Sequence, residues 1–175
     1  APEMLGGTAA ALGPRTDVYL LGAVLHHIVT GKPPHDGPNM QAILASIVVS
    51  QPALPDSVPP DLARIVLRAL SREPADRFAS ADELREALEA YLRHRGSLRL
   101  SEDAARSLAR LRAELSAGAT RRVLYNLLGE CRFGYRAALR ESAGNVAARD
   151  GLHAAIRAVA EWELEQGDAE SAALL

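Results

Sequence analysis

The side chains best able to do chemistry in this 175-residue chain are its histidines, its single cysteine and a short glycine run near the start. His26, His27 and His35 fall close together and raise the question of a bound metal. Such a site needs several ligands converging on one point, commonly with carboxylate or thiolate among them. Adjacent histidines on a helix point in different directions, and no acidic or cysteine set accompanies these, so no metal is expected. Gly6-Gly7-Thr8-Ala9 lacks the Gly-x-Gly-x-x-Gly spacing with which backbone N–H groups cradle phosphate, and reads as a loop. Cys131 lies within an apolar stripe, which makes it a core residue rather than a nucleophile. As the lone cysteine it excludes an internal disulfide and a cysteine-rich zinc site. No Ser/His/Asp order and no paired carboxylates stand out.

The elements that must position these residues are helical. Aromatic residues are only 4% of the chain, so Leu, Ala, Val and Ile must build the core, and Ala and Leu favour helix. No alternating Val/Ile/Thr run calls for a sheet, and the expected class is mainly α. A net charge of −2 gives no bulk attraction to nucleic acid or anionic membrane, and neither is expected as a partner. The basic clusters Arg93-His94-Arg95 and Arg121-Arg122 read as solvated helix faces. The longest apolar stretch, Val18 to Val29, is interrupted by His26-His27 and falls short of the roughly 20 residues of a membrane span. A cytoplasmic setting is expected, with room for an anchor elsewhere in a longer protein.

Residues 1–16 show no period and read as irregular. Thr16-Asp17 offers an N-cap for a helix that stops at Thr30-Gly31, barred from continuing by Pro33 and Pro34. A helix over Met40 to Val49 is expected next, then a proline-rich connector over 51–60. Asp61 opens a helix with Leu62, Ile65, Ala69 and Leu70 on one face and Arg64 and Arg68 on the other. Ser80-Ala81-Asp82-Glu83 has the pattern of a capping box before the stripe Leu84, Ala87, Leu88, Tyr91, Leu92. Gly96-Ser97 marks a boundary between regions 1–95 and 96–175. Beyond it, Ser101 caps a helix ending near Gly118, Leu124 to Ala138 forms another, Asn145 caps a third, and Gly167-Asp168 begins a last fragment. Helices joined by such short turns pack as antiparallel hairpins.

Four pieces in order carry a resemblance: Ala1-Pro2-Glu3, Asp17-Val18-Tyr19-Leu20-Leu21-Gly22, Thr30-Gly31-Lys32-Pro33-Pro34 and Pro74-Ala75-Asp76-Arg77-Phe78. Together they resemble the large lobe of bacterial eukaryotic-like (Hanks-type) serine/threonine protein kinases, from the end of the activation segment onward. The resemblance implies that Glu3 and Arg77 form a buried ion pair tying that segment to the base of the lobe. It implies that Asp17 and Gly22 belong to the lobe's central helix, Asp17 orienting the catalytic loop; with that loop absent, Asp17 serves as an N-cap. Glu3, Asp17, Gly22 and Arg77 are thus structural positions, not catalysts. Tyr19 stands where many kinases carry Trp, and His35 where Phe often ends the Gly-Lys-x-Pro turn.

In the family, the glycine-rich loop, the phosphate-binding Lys, the catalytic Asp and the Mg²⁺ ligands all lie before the Ala-Pro-Glu. The chain is therefore expected to hold no catalytic, ATP-binding or metal residue and to be inactive alone, both ends reading as truncations. The parent protein is expected to be a serine/threonine kinase using ATP and Mg²⁺ on protein substrates. The alternative is a non-catalytic pseudokinase with a protein-interaction scaffold. Without the rest of the lobe, one apolar face of Val18–Val29 is expected to be exposed and to favour self-association. In region 96–175, Cys131-x-x-x-Tyr135-x-x-Ala138-Leu139 and Asn145 to Asp168 resemble tetratricopeptide repeats. Ala143 stands in place of the usual Pro, and the helix between Asn145 and Gly167 is too long for a repeat of the standard 34-residue unit. That resemblance implies protein partners for the tail.

Overall fold

A computed structural model describes residues 1–6 and 12–175, and the described residues are helical with no strand. Gly7, Thr8 and Ala9 of the glycine run lie outside the described residues. After a 3-10 turn at Pro2–Met4 come α1 (Pro14–Thr30), α2 (Met40–Val49) and α3 (Pro60–Ala69). A second 3-10 turn, Pro74–Asp76, precedes α4 (Ala81–Ser116), α5 (Arg121–Glu141), α6 (Val146–Glu165) and α7 (Ala169–Ala173). The chain divides into two compact units, Ala1–Tyr91 and Leu92–Leu175.

In the first unit, α1 begins earlier than the sequence suggests. Pro14 takes the first helical position, where its missing N–H costs nothing, and Gly13 is the N-cap. Asp17 is therefore not a cap; it sits exposed in the first turn, where a carboxylate still faces the positive end of the helix dipole. Gly31 closes the helix at φ 73°, a left-handed conformation that glycine adopts without strain. Asn39 caps α2 by accepting the Ala42 N–H at 2.9 Å. Ahead of α4, the Ser80 hydroxyl accepts the Glu83 N–H at 3.2 Å. Glu83 reaches back one residue further than a capping box requires, to the Ala79 N–H at 2.7 Å.

Two small cores hold this unit. Val18, Ala69, Phe78 and Leu84 form one, and Tyr19, Val66 and Leu70 the other. Both draw on α1 and α3, which cross at Gly22. A Cβ there would lie 2.8 Å from the Ala69 Cβ and 3.3 Å from the Ala69 carbonyl carbon, so only glycine permits this approach.

The second unit has a single larger core in which Leu108, Leu111, Leu124, Leu128, Cys131, Tyr135, Ala155 and Val159 are buried. Gly96, Ser97 and Ser101 fall inside α4, so neither a helix break nor a Ser101 cap occurs there. Ser97 instead turns inward and donates to the Ala138 carbonyl at 2.7 Å. Asn145 caps α6 by accepting the Ala148 N–H at 3.0 Å, and its amide donates to Ser97 Oγ at 2.8 Å. Small residues set the spacing of the α5–α6 hairpin: a Cβ on Gly151 would lie 2.3 Å from Tyr135 Cζ. Asp168 caps α7 through the Ser171 N–H at 2.9 Å.

Candidate functional site

Glu3 and Arg77 are brought together across 74 residues of sequence. Arg77 is fully buried, and a buried guanidinium is tolerable only if its N–H groups are satisfied. It carries five such donors, and each finds an acceptor. Nη1 donates to Glu3 Oε1 at 2.8 Å and to the Arg15 carbonyl at 3.0 Å. Nη2 donates to Glu3 Oε2 at 3.0 Å and to the Arg72 carbonyl at 2.9 Å, and Nε donates to the Ser71 carbonyl at 2.7 Å. The guanidinium also lies over the Tyr19 ring, 4.7 Å from its centroid. The Thr16 hydroxyl donates to Glu3 Oε1 at 2.8 Å. Held by Arg77 first and by Thr16 in addition, the Glu3 carboxyl is lowered to about 2 from an ordinary 4.5.

The ion pair thus joins the turn Pro2–Met4, the start of α1 and the loop before α4. Arg15 reinforces the same junction by donating to the carbonyls of Pro74 at 2.7 Å and Ala75 at 2.9 Å. Sequence reasoning missed Thr16 and Arg15. Thr16 has the local pattern of a cap, and Arg15 carries no local pattern that marks its distant acceptors.

A second polar cluster adjoins this one. Ser50, the sole described non-glycine residue with positive φ (47°), ends α2 and donates to the Leu70 carbonyl at 2.9 Å. Its one hydroxyl proton being used, it accepts from the Tyr19 hydroxyl at 2.8 Å. Tyr19 must then accept from Nε2–H of His35, with which its ring is stacked at an interplanar angle of 3°. Nδ1 of neutral His35 accepts from the Ser46 hydroxyl at 2.9 Å. Burial pushes the His35 pKa below its ordinary 6.5, aided by nearby positive charge.

The other histidines do not converge with it. His26 is buried with Nδ1 facing the Lys32 carbonyl and Nε2 the Ala53 carbonyl. His27 is exposed, and no metal-holding group of His, Cys, Asp or Glu occurs among the described residues. Cys131 is buried, and desolvation raises its thiol to about 11. On α1, Leu20, Leu21, Val24 and Ile28 are 44%, 45%, 58% and 72% exposed, leaving one side of this helix without a described partner. Among the described residues, no helix is long and apolar enough to cross a membrane.

The all-helical first unit is compatible with a region like the large lobe of a protein kinase. Comparison with known proteins points the same way. The chain is 37% identical over 95 residues to the serine/threonine-protein kinase PknD of Chlamydia trachomatis, a match covering 53% of this chain. It is 38% identical over 93 residues to PknB of Mycolicibacterium smegmatis, covering 45% of this chain. It is 36% identical over 102 residues to PknK of Mycobacterium bovis, covering 55% of this chain. These matches span only 10%, 15% and 9% of the relatives' own lengths. About half of the chain is therefore similar to a small part of bacterial serine/threonine kinases. No protein-family model matches the chain.

Proposed function

We propose that this chain is part of a serine/threonine protein kinase: the base of its large lobe followed by a helical, tetratricopeptide-like tail. The observation that carries this reading is the Glu3–Arg77 pair, since a fully satisfied buried Arg anchored to a distant Glu is costly to assemble and serves no local purpose. Its role is mechanical. It fixes the segment entering at Ala1 against the loop before α4, so that whatever precedes Ala1 is held in one place.

In this reading the complete protein binds ATP and Mg²⁺ through residues outside this chain and transfers the γ-phosphate to protein hydroxyls. The 175 residues alone transfer nothing. The connector 31–39 with α2 is the surface that meets a protein substrate or a second kinase, and residues 101–175 recruit partner proteins. Stacked helical hairpins suit such recruitment because they offer extended surfaces. In this reading the protein works in the cytoplasm, with room for a membrane anchor outside this chain.

The test is a phosphotransfer assay with labelled ATP and Mg²⁺ on a general protein substrate. It compares the product of the complete reading frame containing this chain with the 175-residue chain alone. Transfer by the first and none by the second supports the kinase reading. An inactive complete product that still captures partners through residues 101–175 would favour the pseudokinase scaffold instead.

A further inference from the structure

We propose that His35 is a pH-operated latch: neutral, it holds the connector 31–39 and α2 against α1 through Tyr19 and Ser46, and protonation releases them. The inference rests on the hydrogen-bond chain itself and is independent of the kinase reading.

Proton bookkeeping makes the latch directional. The series His35 Nε2–H to Tyr19, Tyr19 O–H to Ser50, and Ser50 O–H to the Leu70 carbonyl uses every hydroxyl proton once. Only Nδ1 is left to take a proton, and it is occupied as the acceptor for Ser46. Adding a proton there removes that acceptor and places a charge in a half-buried position. Ser46 sits on α2 and Ser50 at its C-cap, so the cluster touches both ends of the helix's last turn. The sequence of α2, Met40–Val49, contains no charged residue, so that helix has no carboxylate with which to hold an imidazolium.

Burial and the positive groups near His35 oppose its charging, and the nearby carboxylates are already engaged. Arg77 lies across the Tyr19 ring with Glu3 as its counter-ion. His26 lies on the same helix as Tyr19, and the α-amino group of Ala1, a charge present only where Ala1 is the first residue, adds to the positive side. On the connector, Lys32 carries a positive charge, and Asp36 is engaged by the Gly37 N–H at 2.8 Å. The charged residues of α3 are directed elsewhere, Arg64 to Asp61 and Arg68 to Glu83. With the closed state favouring neutral imidazole, its advantage is complete above the ordinary imidazole value. It declines as pH falls below 6.5 toward the lowered value of the closed form.

The experiment is hydrogen–deuterium exchange of the 175-residue chain from about pH 7.5 to about pH 5, corrected for intrinsic exchange and paired with an NMR titration of the His35 ring. Amides of residues 31–50 are expected to exchange faster at the acid end, with a midpoint equal to that of His35, while α6 is unchanged. In His35→Phe the pH dependence of this segment should vanish. Should that variant fail to fold, the agreement of the two midpoints in the unmodified chain decides. Differing midpoints, no acid acceleration, or acceleration that survives His35→Phe and disappears in His26→Gln would each overturn the assignment.

Discussion

Arg77 shows how much one side chain can hold in place. Its five donors meet one carboxylate and three backbone carbonyls, so lysine at this position would keep the charge but supply only three donors without the planar fork. Arg77→Lys is expected to destabilise the first unit nearly as much as Arg77→Ala. Glu3→Ala, which strands the buried cation, should cost about 3–5 kcal/mol by denaturant unfolding. The pair also predicts an acid limb. The Glu3 carboxyl falls from 4.5 in the unfolded chain to about 2 when folded, so its contribution is whole above the first value and lost as pH falls toward the second. The linkage amounts to about 3 kcal/mol, and urea midpoints measured between these pH values should drop in the parent chain but not in Glu3→Gln. Cys131 makes the opposite kind of prediction. Buried and with its thiol raised to about 11, it should stay unmodified by thiol reagents in the folded chain and react fully once unfolded.

Among the elements, close approach is bought with glycine. Gly151→Ala would press a methyl group onto the buried Tyr135 ring and force the α5–α6 hairpin apart, for an expected loss of about 1–3 kcal/mol by thermal unfolding. The helices themselves were legible in the sequence: the periods around Leu124 to Ala138 and Met40 to Val49 correspond to α5 and α2, and Asn145 and Gly31 mark ends correctly. The failures have a common cause. Thr16 and Ser101 look like caps because a hydroxyl before an apolar run usually is one, and Ser97 beside Gly96 looks like a boundary. Each instead has a tertiary partner, Glu3 for Thr16, Ala138 for Ser97 and Asn145 for Ser101, which no local pattern encodes. Gly96 likewise suggested a break, yet one glycine costs only about 1 kcal/mol within a long helix, and α4 runs through it. At the site, Glu3 and Arg77 were reached only through resemblance, since nothing in a 74-residue separation announces a contact. Nothing in the sequence points to the Tyr19–His35–Ser50 chain. It depends on Ser50 adopting positive φ, which a serine code does not advertise.

For the whole molecule, the exposed Leu20, Leu21, Val24 and Ile28 are the main liability. The chain is expected to bind a hydrophobic dye and to self-associate in sedimentation experiments. Val24→Glu with Ile28→Glu should suppress both without unfolding the chain, because neither side chain contributes to a core cluster. The long reach of the Glu3–Arg77 pair also bears on how the chain acquires its structure. Its ends are 74 residues apart, whereas the polar links of Asn145 and Arg121 in the second unit close 42 to 48 residues. The entropy of loop closure must be met before a distant contact gives anything back. A ribosome releasing this chain would expose α1 and its apolar face well before Arg77 emerged to anchor Glu3. During that interval α1 would be a natural client for a chaperone, and slowing synthesis between Gly31 and Arg77 should increase its capture.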